Sequence, residues 1–149
     1  MRKILYLDMD KVLVNFPSAF PRITKELLAN YEGRLDEVPG IFSLMDPLPW
    51  AVESHKELSA LFDTYILSTS PWENPSAWSD KLLWVKRHLG ERAHKRLILS
   101  HHKNLNQGHF LVDDRTKNGA GQFDGELIHF GTTRFPDWPS VVTYLRSAS

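Results

Sequence analysis

No cysteine occurs in the 149 residues. Disulfides and thiolate metal sites are therefore excluded, which fits a reducing cytoplasm. Neither sign of charge is in excess, because 18 lysines and arginines balance 18 aspartates and glutamates. Such a chain has no overall field to hold it on DNA, RNA or an anionic membrane, so a nucleic acid polymer is not an expected partner. Long apolar runs are missing too. The N-terminal MRKILYLDMD joins a basic pair to a short apolar stretch that acids interrupt, and we expect neither a signal peptide nor a membrane span. Repeats and low-complexity tracts are absent. With 42% hydrophobic and 24% charged residues, the chain is ordinary for a globular protein. At this length one core suffices, so a single domain over residues 1–149 is expected, in the cytoplasm.

Four short apolar runs each end in polar residues: KILYLD (3–8), TYILSTS (64–70), RLILS (96–100) and HFLVDD (109–114). Near-continuous runs, rather than alternating ones, indicate strands covered on both faces, as in a parallel α/β sheet. Helical patterns lie between them. Ser76 is predicted to cap a helix that carries Trp78, Leu82, Val85 and Leu89 as one stripe and stops at Gly90. Residues 17–33 and 49–62 read as two further helices, separated by the proline-marked VPGIFSLMDPLP (38–49). The insert after the first run is longer than one crossover helix needs. We expect about 16–48 to form a small helical cap over the strand ends. A turn-rich NGAGQFDGE (118–126), a strand LIHFG (127–131) and a helix over 137–148, with Pro139 near its start, complete the pattern.

Open parallel sheets bind ligands beyond the carboxyl ends of their strands. The residues ending these runs should meet there: Asp8 and Asp10, Thr69 and Ser70, Lys103 just past the third run, and Asp113 and Asp114. Two like charges 4 Å apart repel by roughly 4 kcal/mol at an effective dielectric of 20. Several such pairs demand a cation or protons. An all-oxygen acidic cluster suits a hard ion, with Mg²⁺ and a phosphorylated ligand as the ordinary solution. Lys103, Thr69 and Ser70 supply the charge and donors a phosphate dianion needs. A carboxylate can attack phosphorus to give an aspartyl phosphate. The period-two spacing of Asp8 and Asp10 puts both on one side of an extended backbone, so that one attacks while the other moves the proton.

Asp8-Met9-Asp10, Thr69, Lys103 and Asp113-Asp114 resemble, in order, the four motifs of the haloacid dehalogenase superfamily. The segments DMDKVLVNF, ILSTSP, KLLWVKRHLG, FLVDDR and GELIHFG with FPDW are more closely similar to the 5′(3′)-deoxyribonucleotidase family, over nearly the whole chain. The resemblance implies a Rossmann-like three-layer fold with a helical cap inserted after the first strand. It also implies hydrolysis of a (deoxy)ribonucleoside monophosphate through an aspartyl phosphate. Asp8 is then the nucleophile and Asp10 the acid/base, whose backbone carbonyl also meets Mg²⁺. Thr69, with Ser70 beside it, and Lys103 hold the phosphate. Asp113 and Asp114 complete the metal site, either being able to touch the ion. Phe16 and Phe42 stand where the family stacks its nucleobase, or are core aromatics; Trp50 and Trp72 are further possibilities of the same two kinds.

Lys11 stands where the family has glycine, and the cap is short for the family. His101-His102 read as loop residues, GAGQFDG as a turn rather than a phosphate cradle, and Arg115 as a partner of the acids or of substrate. Val12 and Leu13 exclude a calcium loop beginning at Asp8. A phosphatase for another small phosphorylated metabolite would share every catalytic residue. A phosphoryl-accepting receiver domain would place its acidic pair at the first strand and its acceptor at the third, whereas RLILS has no aspartate.

Overall fold

The computed structural model describes all 149 residues. Its strands are β1 (Ile4–Leu7), β2 (Val14–Asn15), β3 (Asp46–Pro47), β4 (Asp63–Ser68), β5 (Leu97–Leu99), β6 (Phe110–Asp113) and β7 (Glu126–His129). The α-helices are α1 (Lys25–Asn30), α2 (Ala51–Leu61), α3 (Pro75–His88) and α4 (Trp138–Ala148). Five strands form one sheet in the order β5-β4-β1-β6-β7, every neighbouring pair parallel. This is the α/β arrangement that the unbroken apolar runs imply.

Register sets the site. Leu7 lies opposite Ile66 of β4 and Val112 of β6, and the Asp8 amide donates to the Val112 carbonyl at 2.9 Å. The three central strands thus end level, with their polar residues side by side. Alternation splits the sheet's side chains between two clusters. Leu5, Leu7, Ile66, Val112 and Ile128 join Leu58 of α2, Trp84 and Val85 of α3, and Val141 and Leu145 of α4. Tyr6, Leu67 and Leu111 meet Ala120 and Phe123 instead. That outer layer is thin, made of loops and the 3-10 turns Lys103–Leu105 and Ala120–Gln122.

Residues 17–33 do not form one helix. A 3-10 segment, Phe16–Arg22, precedes α1, and Thr24 starts the chain afresh by accepting from the Leu27 amide at 3.1 Å. Pro17 and Pro21 have no N–H to give an α-helical ladder, and Thr24 offers a better cap than continuation would. The insert between β1 and α2 is anchored by the antiparallel pair of β2 and β3 and by Arg22, which grips the Asp46 carboxylate at 2.8 and 3.0 Å. Val38, Ile41, Phe42 and Met45 belong to the same apolar cluster as the sheet.

The start of α3 also differs from expectation. Asn74, not Ser76, is the N-cap, with Pro75 in the first turn. The Asn74 amide donates to the carbonyls of Asp36 and Val38, and Ser76 accepts from the Gly40 amide, which ties the insert to α3. The inward face carries Ala77, Lys81, Trp84 and Val85, while Leu82 is 42% exposed. Of the expected stripe, Val85 and Leu89 are in the core, whereas Leu82 is turned outward and the inward position near it belongs to Lys81. Gly90 follows the helix with φ 68°, the left-handed stop expected of it.

Candidate active site

Asp8 leaves the end of β1 and Asp113 ends β6, both buried. Lys103, also buried, reaches between them: its Nζ donates to Asp8 Oδ1 at 2.9 Å and to Asp113 Oδ2 at 2.6 Å. The glycine-rich segment supports that lysine. Gly119 has φ 82°, and a Cβ there would lie 2.9 Å from the amide nitrogens of Lys103 and Asn104. The Lys103 amide donates to the Asn118 carbonyl at 2.7 Å. GAGQFDG is thus a turn, and one that seats the site's ammonium.

Carboxylate oxygens of Asp8, Asp113 and Asp114 lie within 4.8 Å of one another. Burial and then the charge of Asp8 push the Asp113 carboxyl up to about 7, against Lys103 and the Arg115 amide, which pull it down. Asp114 is pushed up to about 6 by burial, the Asp8 charge and a hydrogen bond with Asp8. Burial draws the Lys103 ammonium down, but the charges of Asp8 and Asp113 more than reverse this, and it stands above the ordinary lysine value. One ammonium among three carboxylates leaves excess negative charge on hard oxygen donors, the donor set of a divalent cation site.

Asp10 stands apart from that triad. Its Oδ2 accepts from Lys81 Nζ at 3.1 Å, while Oδ1 is buried with no partner in the protein. Burial raises the Asp10 carboxyl, Lys81 opposes this, and Asp8 adds to it; the net direction is up. Lys81 is fully buried and also donates to Ser68 Oγ at 2.8 Å and to the Thr69 carbonyl at 2.7 Å. Sequence reasoning missed it. The available signal was a charged residue three before Trp84 on a helix whose remaining stripe is apolar.

An open cleft of about 550 Å³ gives onto Asp10 and Asp114 and is lined further by Lys11, Phe16, Thr69, His101 and Arg115 among others. Its size suits a small molecule. Thr69 is on its wall, with its hydroxyl donating to the Ser100 carbonyl at 2.7 Å. Ser70 is wholly buried and its hydroxyl has no protein partner. Phe16 lines the cleft, whereas Phe42 is buried behind it, their rings edge to face at 5.8 Å. Trp72 is 75% exposed and packs its ring against His101, and Trp50 sits at the start of α2. His101 is therefore part of the cleft rather than a detached loop residue. Lys11 is on the cleft wall in the left-handed region, φ 64°. Arg115 lines the cleft and its amide, not its guanidinium, donates to Asp113 at 3.0 Å. A larger hollow of about 730 Å³ lies by Trp78, Leu82 and Leu97, with none of the site's acids or lysines on its wall.

Comparison with known proteins agrees with this geometry. Residues 26–136 match the family model described as 5′ nucleotidase, deoxy (Pyrimidine), cytosolic type C protein. A Vibrio phage KVP40 protein carrying the provisional name 5′(3′)-deoxyribonucleotidase is 60% identical over 146 residues, covering 98% of this chain and 86% of that one. The human 5′(3′)-deoxyribonucleotidase, cytosolic type, is 33% identical over 90 residues, covering 59% of this chain and 45% of its own. Among solved structures, a haloacid dehalogenase-like family hydrolase from Xanthomonas campestris superposes with a TM-score of 0.63 at 7% identity, covering 98% of this chain and 95% of that one. No helix is long and apolar enough to cross a membrane.

Proposed function

Because this chain belongs to the 5′(3′)-deoxyribonucleotidase family and has the haloacid dehalogenase-like fold, we propose that it hydrolyses the phosphomonoester of a (deoxy)ribonucleoside monophosphate through an aspartyl phosphate on Asp8. The observation that carries this reading is the Lys103 ammonium held between Asp8 and Asp113, with the Asp114 carboxylate alongside them and on the wall of an open cleft. Lys103 orients Asp8 and offers positive charge to the incoming phosphate.

A carboxylate oxygen of Asp8 attacks phosphorus, the bond to the nucleoside oxygen breaks, and Asp10 delivers a proton to that leaving oxygen. Asp10 then takes a proton from water, which attacks the aspartyl phosphate and returns Asp8 as carboxylate. Its raised carboxyl fits a group that must hold a proton before it gives one. Asp8, the Asp10 backbone carbonyl, Asp113 and Asp114 would hold Mg²⁺, which supplies charge neutralisation for the phosphoryl oxygens when bound. Thr69 and Ser70 complete the phosphate seat. Phe16 offers the face for the base, with Phe42 backing it, and the insert of about 16–48 acts as a small cap. We place the reaction in the cytoplasm, on a small-molecule substrate.

A screen of phosphate release over deoxyribonucleotides, ribonucleotides and sugar phosphates, with and without Mg²⁺, tests the proposal. Turnover of nucleoside monophosphates is expected, and turnover of sugar phosphates alone would remove the substrate claim. Asp8→Asn should abolish release without loss of the folded state; substantial residual activity would remove the nucleophile.

A further inference from the structure

Burying an ammonium carries a desolvation penalty of several kcal/mol in proteins, so a fully buried lysine needs a reason that an apolar residue could not meet. Lys81 is 0% exposed, in the middle of α3, and all three of its protons have acceptors: Asp10 Oδ2, Ser68 Oγ and the Thr69 carbonyl. Two of those acceptors lie at the end of β4 and the third just beyond β1. One ammonium therefore ties two of the loops that form the cleft. Its Nζ also stands 4.8 Å from the centre of the Phe42 ring, the aromatic that backs Phe16.

We infer that Lys81 is a positioning residue that acts through Asp10, holding its Oδ2 so that the carboxyl keeps one orientation toward the leaving oxygen and toward water. The inference rests on the reaction proposed above. Oδ1 has no protein partner and little access to bulk water. With the Lys81 ammonium donating to Oδ2, Oδ1 is the carboxyl oxygen left without a protein partner and free for the reacting groups. A purely structural lysine would need only to satisfy Ser68 and Thr69. The contact to Asp10 gives it a kinetic role that can be read separately.

Lys81→Met and Lys81→Gln, each alone and with Asp10→Asn, provide the test, with folding followed by thermal melting. Lys81→Gln retains a donor for Ser68 or Thr69 and serves if Lys81→Met does not fold. Loss of general acid-base catalysis is worth about 10²–10⁴-fold. We expect kcat on a nucleoside monophosphate to fall about a hundredfold while KM changes little, as for an interaction made only in the transition state. The first turnover of para-nitrophenyl phosphate, whose leaving group needs no proton, should fall much less than that of phenyl phosphate. In the Asp10→Asn background the Lys81 change should add little, because residues acting as a unit are not additive. Equal losses on both aryl phosphates, or full additivity with Asp10→Asn, would overturn the assignment. If wild-type protein cleaves the aryl phosphates but no nucleotide, the substrate proposal fails while the Lys81 comparison is still read on the aryl pair.

Discussion

Lys11 follows Asp10 in a conformation that L-residues rarely adopt. Its φ of 64° is one that glycine would take without strain. Holding a side chain there costs on the order of 1 kcal/mol. Lys11→Gly should accordingly raise the melting temperature by a few degrees, about 1 kcal/mol for a domain of this size. If the lysine earns its place at the cleft wall, KM for the phosphorylated substrate rises in the same variant. A protein no more stable than the parent would mean that neighbouring contacts offset the strain. At this scale the sequence was informative about chemistry and silent about burial. Asp8, Asp10, Asp113 and Asp114 could be named because acids at the ends of apolar runs are rare, and Lys103 because it stands just past the third such run. Lys81 was passed over, because a charge three residues before Trp84 is a weak signal beside the solvated Lys86 on the same helix.

At the scale of elements, the turn carrying Gly119 decides where Lys103 sits. Gly119→Ala would bring a methyl group to 2.2 Å from Asn104 Oδ1 and 2.9 Å from two backbone nitrogens, at a φ that alanine disfavours. Backbone cannot yield as a side-chain tip can. We expect a loss of roughly 1–3 kcal/mol in stability, and a fall in kcat as the Lys103 ammonium shifts from Asp8, measured by chemical denaturation and steady-state kinetics on the same preparation. Activity unchanged in a destabilised protein would separate the turn from the site. Element boundaries were legible wherever the local signal was unopposed: Asp137 caps α4, its side chain accepting from the Ser140 amide at 3.0 Å, and the left-handed Gly90 follows the end of α3. They were misread where two signals competed. Residues 17–33 read as one helix, but the two prolines and the Thr24 cap prevailed. At α3, Asn74 took the cap position, and its amide also bonds carbonyls of the insert that are remote in sequence.

For the whole molecule, the acids at the sheet's carboxyl edge are a liability that the fold tolerates. In the folded state Asp113 stands at about 7 and Asp114 at about 6, both above the ordinary 3.8. A raised carboxyl means that the folded state holds more protons than the unfolded one. Its contribution is complete below about pH 4 and is lost as pH rises through about 6 to 7. Metal-free protein should therefore lose stability as pH rises from about 4 to about 7. A divalent ion that binds only the folded state acts in the opposite direction. Melting followed against pH, in chelator and in Mg²⁺, should give a falling curve in the first case and a higher, flatter one in the second. Coincident curves would mean that no ion relieves these carboxylates.

By itself the sequence determined the class of sheet, the acids and lysine that end its strands, and the family, because these follow from local patterns: apolar runs, spacing of two, and turn residues. Only the tertiary structure decided that Lys81 belongs with Asp10, that Phe16 meets the cleft while Phe42 lies behind it, and that the insert shares the sheet's core. Each of those depends on which face of an element meets a partner far away in the chain, and that choice is made by packing the whole domain at once.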